Sequence, residues 1–312
     1  MEVRILDLDG SMTEQPAILR RQPSTFNAQD WAPHIRLACS FGRFRRFEQI
    51  LYSRLGSVTD RAPYLTLYGS GDFHHVSLAL LRRLNQPFNL LVIDNHPDWM
   101  RGLPFLHCGT WLYHAARLPL VRRVFHVGGD VDFDNGFRWL APWPLLRSGK
   151  ITVIPAIRRF ERGHWAAIDH EPLRSAPDTP MSLDRIEELL WRYRFDLGGY
   201  PLYISVDKDV MRQSDAIVNW DSGHLELAEV SAIVEAFGRA AQGRLAGMDL
   251  VGDWSPVRLA GAFRQVMHLT EHPRLTIDPA AARLCNERAN SALLNSAESI
   301  ASRSRTARPL AA

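Results

Sequence analysis

The sequence predicts a doubly wound α/β layer fold built on a buried, mainly parallel sheet. Short apolar runs recur along most of the chain, several without polar alternation, which is the pattern of strands covered on both faces. Amphipathic stretches of helical period separate them, and strand–helix alternation of this length calls for a parallel sheet with helices on its faces. The composition agrees, since 46% of the 312 residues are hydrophobic and 23% charged, an ordinary globular balance.

Taken in order, the strands are expected at 3–8, 64–68, 89–93, 123–127, 151–154, 202–206 and 247–251. Between the first two, Phe44, Phe47, Ile50, Leu51 and Leu55 recur at steps of three and four, predicting a helix over 43–56. Residues 76–84 continue as a helix from a Gly-rich turn. Ser182 caps a helix carrying Leu183, Ile186, Leu190 and Tyr193, and Leu227, Val230, Val234 and Phe237 line another. No internal repeat and no Gly/Ser linker divides the chain, so one domain over 1–286 is expected, followed by a disordered Ser/Ala/Arg-rich tail over 287–312.

Charge and cysteine content narrow the function classes. The formal net charge is +3. Residues 283–312 hold five arginines against Glu287 and Glu298, an excess of +3, so the other 282 residues are neutral overall. No concentrated basic face for nucleic acid follows from that. No apolar run reaches the ~18 residues of a membrane span, and the first twenty residues lack the pattern of a signal peptide. Cys39, Cys108 and Cys285 make neither a disulfide framework nor a thiolate zinc site. A cytoplasmic protein handling a small molecule, with no nucleic-acid or membrane partner, is the expectation.

In such folds ligands gather where loops leave the carboxyl ends of strands, and polar residues cluster there. After the run Leu90-Leu91-Val92-Ile93 comes Asp94-Asn95-His96-Pro97-Asp98. Residues two apart on an extended chain share a face, so Asp94, His96 and Asp98 converge, and Pro97 ends strand pairing there. After Leu202-Tyr203-Ile204 comes Ser205-Val206-Asp207-Lys208-Asp209, with Asp207 and Asp209 on one face. Four carboxylates and a histidine at strand exits would repel without a cation. They are too many for one zinc ion and suit two hard cations sharing carboxylates. Gly69-Ser70-Gly71-Asp72-Phe73-His74-His75 adds a histidine at a helix start, and His107 lies where a proton-transfer group could reach the site.

In this order the motifs resemble those of the ureohydrolase superfamily, which includes arginase, agmatinase and formiminoglutamase. The similarity runs over 65–256 through Gly71–His75, Asp94–Asp98, His107-Cys108-Gly109, Ser205–Asp209, Trp220–Leu225 and Asp249–Pro256. The resemblance implies a three-layer α/β/α sandwich with a mainly parallel sheet, arginase/deacetylase-like, over the whole of 1–286. It implies two Mn²⁺ per chain held by His74, Asp94, His96, Asp98, Asp207 and Asp209. Asp94 and Asp207 would bridge the ions, and an activated water would attack a C–N bond of a guanidino, amidino or amide substrate. His107 would be the proton shuttle, and a homo-oligomer is implied as well.

Departures from the family pattern set the remaining expectations. The first motif carries one extra residue, so His74 or His75 could be the ligand, with His74 preferred. The family's Ala is Asn95, and its glycine-rich substrate loop becomes Asn219-Trp220-Asp221-Ser222-Gly223-His224, making Trp220 and Asp221 candidate substrate contacts. The family's substrate-binding glutamate falls on Gly252 or Asp253, and Asp253 is expected to take a cationic substrate. Two other readings stand beside this one. Asp7-Leu8-Asp9-Gly10-Ser11 resembles the first motif of haloacid-dehalogenase phosphatases, with Asp7 as nucleophile, Asp9 as acid and Mg²⁺ as cofactor; Gly129-Asp130 and Asp134-Asn135 imitate that family's acidic motif. A ureohydrolase-like scaffold that binds without turnover is the other.

Overall fold

The computed structural model describes residues 1–55, 63–129, 139–157, 172–176 and 178–306. Its strands are β1 (Glu2–Asp7), β2 (Ser24–Asn27), β3 (Ala38–Cys39), β4 (Tyr64–Leu67), β5 (Phe88–Ile93), β6 (Leu106–His107), β7 (Val121–Val127), β8 (Ile151–Ile154), β9 (Leu202–Asp207) and β10 (Leu245–Val251). The helices are α1 (Pro16–Leu19), α2 (Ala32–Ile35), α3 (Phe41–Leu55), α4 (Ser77–Leu81), α5 (Trp111–Ala116), α6 (Trp143–Arg147), α7 (Leu183–Arg192), α8 (Arg194–Gly199), α9 (Leu227–Ala240), α10 (Ala262–Glu271) and α11 (Pro279–Thr306).

Eight strands form one sheet in the order β2-β1-β4-β10-β9-β5-β7-β8, and every pairing within it is parallel. The short strands β3 and β6 pair antiparallel beside it. Successive residues of a strand face opposite sides, and the sequence is apolar on both. In β5, Leu90 and Val92 join the apolar layer that contains Phe44, Phe47 and Trp111, whereas Leu91 and Ile93 join the layer that contains Val230, Phe237 and Leu293. Two cores flank one sheet, which is the three-layer α/β/α arrangement expected.

All seven expected strands are present, as are the helices over 43–56, after Ser182 and from Leu227. The short strand β2 escaped the pattern because it lies at the sheet edge and reads Ser-Thr-Phe-Asn, without an apolar run. The expected disordered tail is corrected over most of its length. Residues Pro279–Thr306 are helical, and Ala289, Leu293, Leu294, Ala297 and Ile300 are buried against the α9 side of the sheet. Its stripe is built largely of Ala and Asn rather than large apolar residues, so the helical period was masked.

The strand order places the site. The chain lays β1, edge strand β2 and β4 on one side, crosses to β5, β7 and β8 on the other, then returns to insert β9 and β10 between β4 and β5. The carboxyl ends of β4, β10, β9 and β5 therefore open side by side, at the reversal of winding where α/β sheets form a crevice.

Candidate metal centre

Every residue of the Asp94 and Asp207 motifs lies at these four strand exits. β5 and β9 are neighbours in register, with Ile93 opposite Val206, so Asp94 and Asp207 leave adjacent strands side by side. The carboxylate of Asp94 accepts the His96 backbone N–H at 2.7 Å, and Asp209 accepts that of Asn95 at 3.0 Å, so the two loops brace each other. Asp98 has a left-handed backbone (φ 48°), which Asp tolerates better than most residues, and accepts the Trp111 indole N–H at 2.7 Å.

His74, not His75, faces this cluster. Its Nδ1 lies 3.0 Å from Asp94 Oδ2, 3.1 Å from Asp98 Oδ2 and 3.4 Å from Asp207 Oδ2. His75 is buried beside the Phe44 ring instead. The hydrogen-bond chain behind His74 decides which nitrogen is bare. Ser205 Oγ donates to Asp249 at 2.7 Å, so at 3.0 Å it accepts from His74 Nε2–H. The Nδ1 lone pair is then aimed at two carboxylates, and neither Nδ1 nor Asp94 Oδ2 has a hydrogen-bond partner. Lone pairs facing lone pairs in a buried site need a proton or a metal ion between them.

Two sets of donor atoms come close enough to hold a cation, His74 with Asp94 and Asp98, and Asp94 with His96 and Asp209; Asp94 belongs to both. His96 Nδ1 is 2.8 Å from Asp209 Oδ2. The electrostatics carry the same message. Burial, with the neighbouring Asp94 charge, pushes the Asp98 carboxyl up to about 7. Burial and Asp209 push Asp207 well above the carboxylate range. Against the effect of burial, Asp209 raises His96 to about 10, and Asp94 and Asp98 raise His74 well above its ordinary value. The cluster holds protons where a divalent cation would displace them.

Glycine permits the crowding at Asp207. A Cβ on Gly252 (φ 98°) would fall 2.3 Å from Asp207 Oδ1, and one on Gly71 would fall 2.7 Å from Oδ2. No side chain fits at Gly252, one of the two positions onto which the family's substrate-binding glutamate falls.

Asp253, expected to take a cationic substrate, is placed otherwise, and this corrects the expectation. It is 1% exposed and forms an ion pair with Lys208, which is itself fully buried, while Gln15 and Asn290 of α11 donate to the same carboxylate. Lys208 also donates to Asn290 Oδ1 at 2.8 Å, so it and its partner are turned toward α11. The remaining candidates come together. Trp220 donates from Nε1 to Asp72 at 3.0 Å, and its ring lies 5.6 Å from that of His96 and 4.5 Å from that of His272. Asp72 is itself held by Arg36 at 2.6 Å and His272 at 2.7 Å. Asn95 Nδ2 reaches the backbone carbonyl of the exposed Asp221 at 3.4 Å, so the residue replacing the family's Ala ties the two loops.

His107 is fixed as one tautomer. Its Nδ1 accepts the Gly109 N–H at 2.9 Å, leaving Nε2–H to donate to Glu271 at 3.0 Å. Glu271 and Arg36 carry no sequence signal of their own, because their partners His107 and Asp72 lie 164 and 36 residues away along the chain, and His272 lies 200 residues from the Asp72 that it holds.

The carboxylates of the phosphatase-like motif are occupied structurally. Asp7 accepts from Gly10 N–H and Gln29, and Asp9 accepts from Ser11, Ser70 N–H and Ser255 Oγ. The acidic motif residues Asp130, Asp134 and Asn135 lie outside the described residues.

No family model matches the chain. A protein of Thermotoga maritima, itself uncharacterised, is 25% identical over 255 residues, 82% of this chain and 81% of its own. Among solved structures the chain is similar to formimidoylglutamase from Bacillus subtilis (TM-score 0.56, 15% identity, 99% of this chain and 89% of that one). It is also similar to arginase from Bacillus subtilis (0.54, 13%, 94% and 98%) and to proclavaminate amidino hydrolase from Streptomyces clavuligerus (0.53, 18%, 96% and 92%). The chain has the α/β fold of the ureohydrolases. Among the described residues no helix is long and apolar enough to cross a membrane.

Proposed function

We propose that the protein is a manganese-dependent hydrolase of the arginase/agmatinase type, cleaving a C–N bond of a small guanidino, amidino or amide substrate. The observation that carries the reading is the pair of cation-sized donor sets sharing Asp94, with His74 Nδ1 and Asp94 Oδ2 left without partners at their centre. His74, Asp94 and Asp98 would hold one ion, Asp94, His96 and Asp209 the other, with Asp207 Oδ2 at 3.4 Å from His74 Nδ1 available to both. When bound, such ions supply Lewis acidity, bringing the ionisation of water near neutral pH. All-oxygen and imidazole donors without thiolate suit Mn²⁺.

The chain's own residues do the rest. Asp249 and Ser205 orient His74, and the His126 ring donates to the His96 carbonyl at 2.8 Å, holding that loop in place. His107, once it has taken up the proton of the attacking water, would return it to the leaving amine. Trp220, fixed by Asp72, walls the site beside His96, and Asp221 stands exposed at its edge. The fold of the neighbours and the donor set support this reading over binding without turnover.

Elemental analysis after incubation with Mn²⁺ and removal of excess tests it. About two ions per chain, with urea, ammonia or a related product released from one of a panel of guanidines, amidines and amides, is the expected result. Two ions with no turnover on any of them would favour a binding protein; a chain that retains no Mn²⁺ would end the proposal.

A further inference from the structure

We infer that Asn290 of α11 is a positioning residue of the candidate metal centre, acting through Lys208, so that the C-terminal helix fixes the turn on which Asp207 and Asp209 are presented. This rests on the metal-centre reading above and extends it to a helix that carries none of the donor atoms. Lys208 stands between the two aspartates in the single turn Lys208–Val210 that follows β9. Its side chain is fully buried and ion-paired with Asp253. Asn290 is equally buried and completes that pair. Its Oδ1 accepts from Lys208 Nζ at 2.8 Å, while Nδ2 donates to Gln15 Oε1 at 2.9 Å and to Asp253 Oδ2 at 3.2 Å. Gln15 closes the circuit, its Nε2 donating to Asp253 Oδ2 at 2.5 Å.

The turn has no slack to take up a displaced lysine. Asp209 N–H donates to Asp207 Oδ1 at 3.1 Å, and Gly223 N–H to the Asp209 carbonyl at 2.6 Å. Gly252 packs so closely that a Cβ there would fall 2.6 Å from the Lys208 nitrogen. A shift of Lys208 therefore moves the carboxylates on either side of it. Packing of α11 gives no reason for an asparagine. Its neighbours along the buried stripe include Ala282, Ala289, Leu293, Leu294 and Ala297, among which an apolar residue would cost less than an amide that must be fully bonded, and asparagine is a weak helix former. Asn286, four residues earlier on the same face, serves the next loop in the same way. It accepts the Ile217 N–H at 3.0 Å and donates to the Ile217 carbonyl at 2.7 Å, gripping the backbone that leads to Trp220.

The test is the Mn²⁺ affinity of the full-length, metal-free chain, read from the loss of the free-Mn²⁺ signal in electron paramagnetic resonance. It is run at a temperature where circular dichroism shows each variant folded. Asn290→Ala should weaken binding by about tenfold or more. The milder Asn290→Ser should weaken it in the same direction, and it decides the matter alone if Asn290→Ala does not fold. Leu293→Ala, three residues along the same helix, controls for a loosened α11 and should leave the affinity within about twofold. In the Lys208→Met/Asp253→Leu background, adding Asn290→Ala should change the affinity by less than about twofold, because an effect carried by Lys208 has nothing left to act on. Unchanged affinity in the Asn290 variants, equal weakening in Leu293→Ala, or undiminished weakening in the pair-free background would each overturn the inference while leaving the metal centre standing. An unmodified chain that binds no Mn²⁺ would end the metal-centre reading, and this inference with it.

Discussion

His74 Nδ1 and Asp94 Oδ2 lie 3.0 Å apart in the buried interior, and neither has a hydrogen-bond partner. The hydroxyl of Ser205 has its single proton on Asp249, so it must accept from the other ring nitrogen of His74. A polar pair left in this state costs stability unless a cation fills the gap. His74→Ala should therefore retain under about a tenth of the manganese of the unmodified chain, as should Asp207→Ala and Asp209→Ala. His75→Gln, a change behind the site against Phe44, should keep its metal even where it loses stability. Full loading of His74→Ala, or loss confined to His75→Gln, would reverse the assignment.

Asp253 gives a prediction opposite in kind to the one its sequence position invites. Because it neutralises the fully buried Lys208, Asp253→Ala leaves an unpaired buried charge, a change that costs about 3–5 kcal/mol. Urea denaturation should show that loss, and the double variant Lys208→Met/Asp253→Leu should recover much of it. A normal unfolding midpoint accompanied by a raised KM for a cationic substrate would return Asp253 to the role of substrate contact.

The contrast between Asp94 and Asp253 shows what could be read from the sequence. Asp94 and Asp207 close largely apolar strands, so a parallel sheet alone delivers them to the same edge, and seven of the eight strands of the large sheet are legible from their apolar residues. His74 was separable from its neighbour only through Ser205 and Asp249, residues of two distant strands. Gly252 and Asp253 could not be resolved by spacing, because the deciding facts are a 2.3 Å clash and an ion pair to a strand-end lysine. Glu271 and the Arg36–Asp72–His272 group are long-range contacts, to which local pattern is blind.

His107 should act on turnover alone. It touches none of the candidate metal ligands through a hydrogen bond, being held by Gly109 and Glu271. His107→Asn should lower kcat by about 10²–10⁴-fold while both ions remain bound. Loss of manganese in that variant would show that the residue supports the cluster.

The helix α11 replaces what the composition presents as a loose tail, and its contribution can be measured. Leu293 and Leu294 are fully buried in the same apolar layer as Val230 and Phe237. Leu293→Ala should destabilise the chain by about 2–5 kcal/mol in urea unfolding. An unchanged midpoint would mean that the helix does not pack on the domain in solution.

The proton load of the cluster sets a pH dependence whose sign depends on the metal. Without metal, Asp98 titrates near 7 in the folded chain, against the ordinary carboxylate range when unfolded, because of burial and the Asp94 charge. The folded state therefore binds the proton more tightly than the unfolded state, and stability falls as pH rises through that interval. His96, raised to about 10 by Asp209 against the effect of burial, and His74, raised by Asp94 and Asp98, act in the same direction from about 6.5 upward. Asp94 is lowered to about 2, burial being outweighed by His74, so its favourable contribution is fully gained by about pH 5 and, constant above that, does not offset them. The metal-free chain should thus lose thermal stability between pH 5 and 7. Mn²⁺ binding requires these protons to leave, so the stabilisation it confers should grow across the same interval, with proton release detectable in weakly buffered solution. A metal-free Tm that rises from pH 5 to 7, or a manganese-induced shift that does not increase with pH, would show that the cluster is not the manganese site.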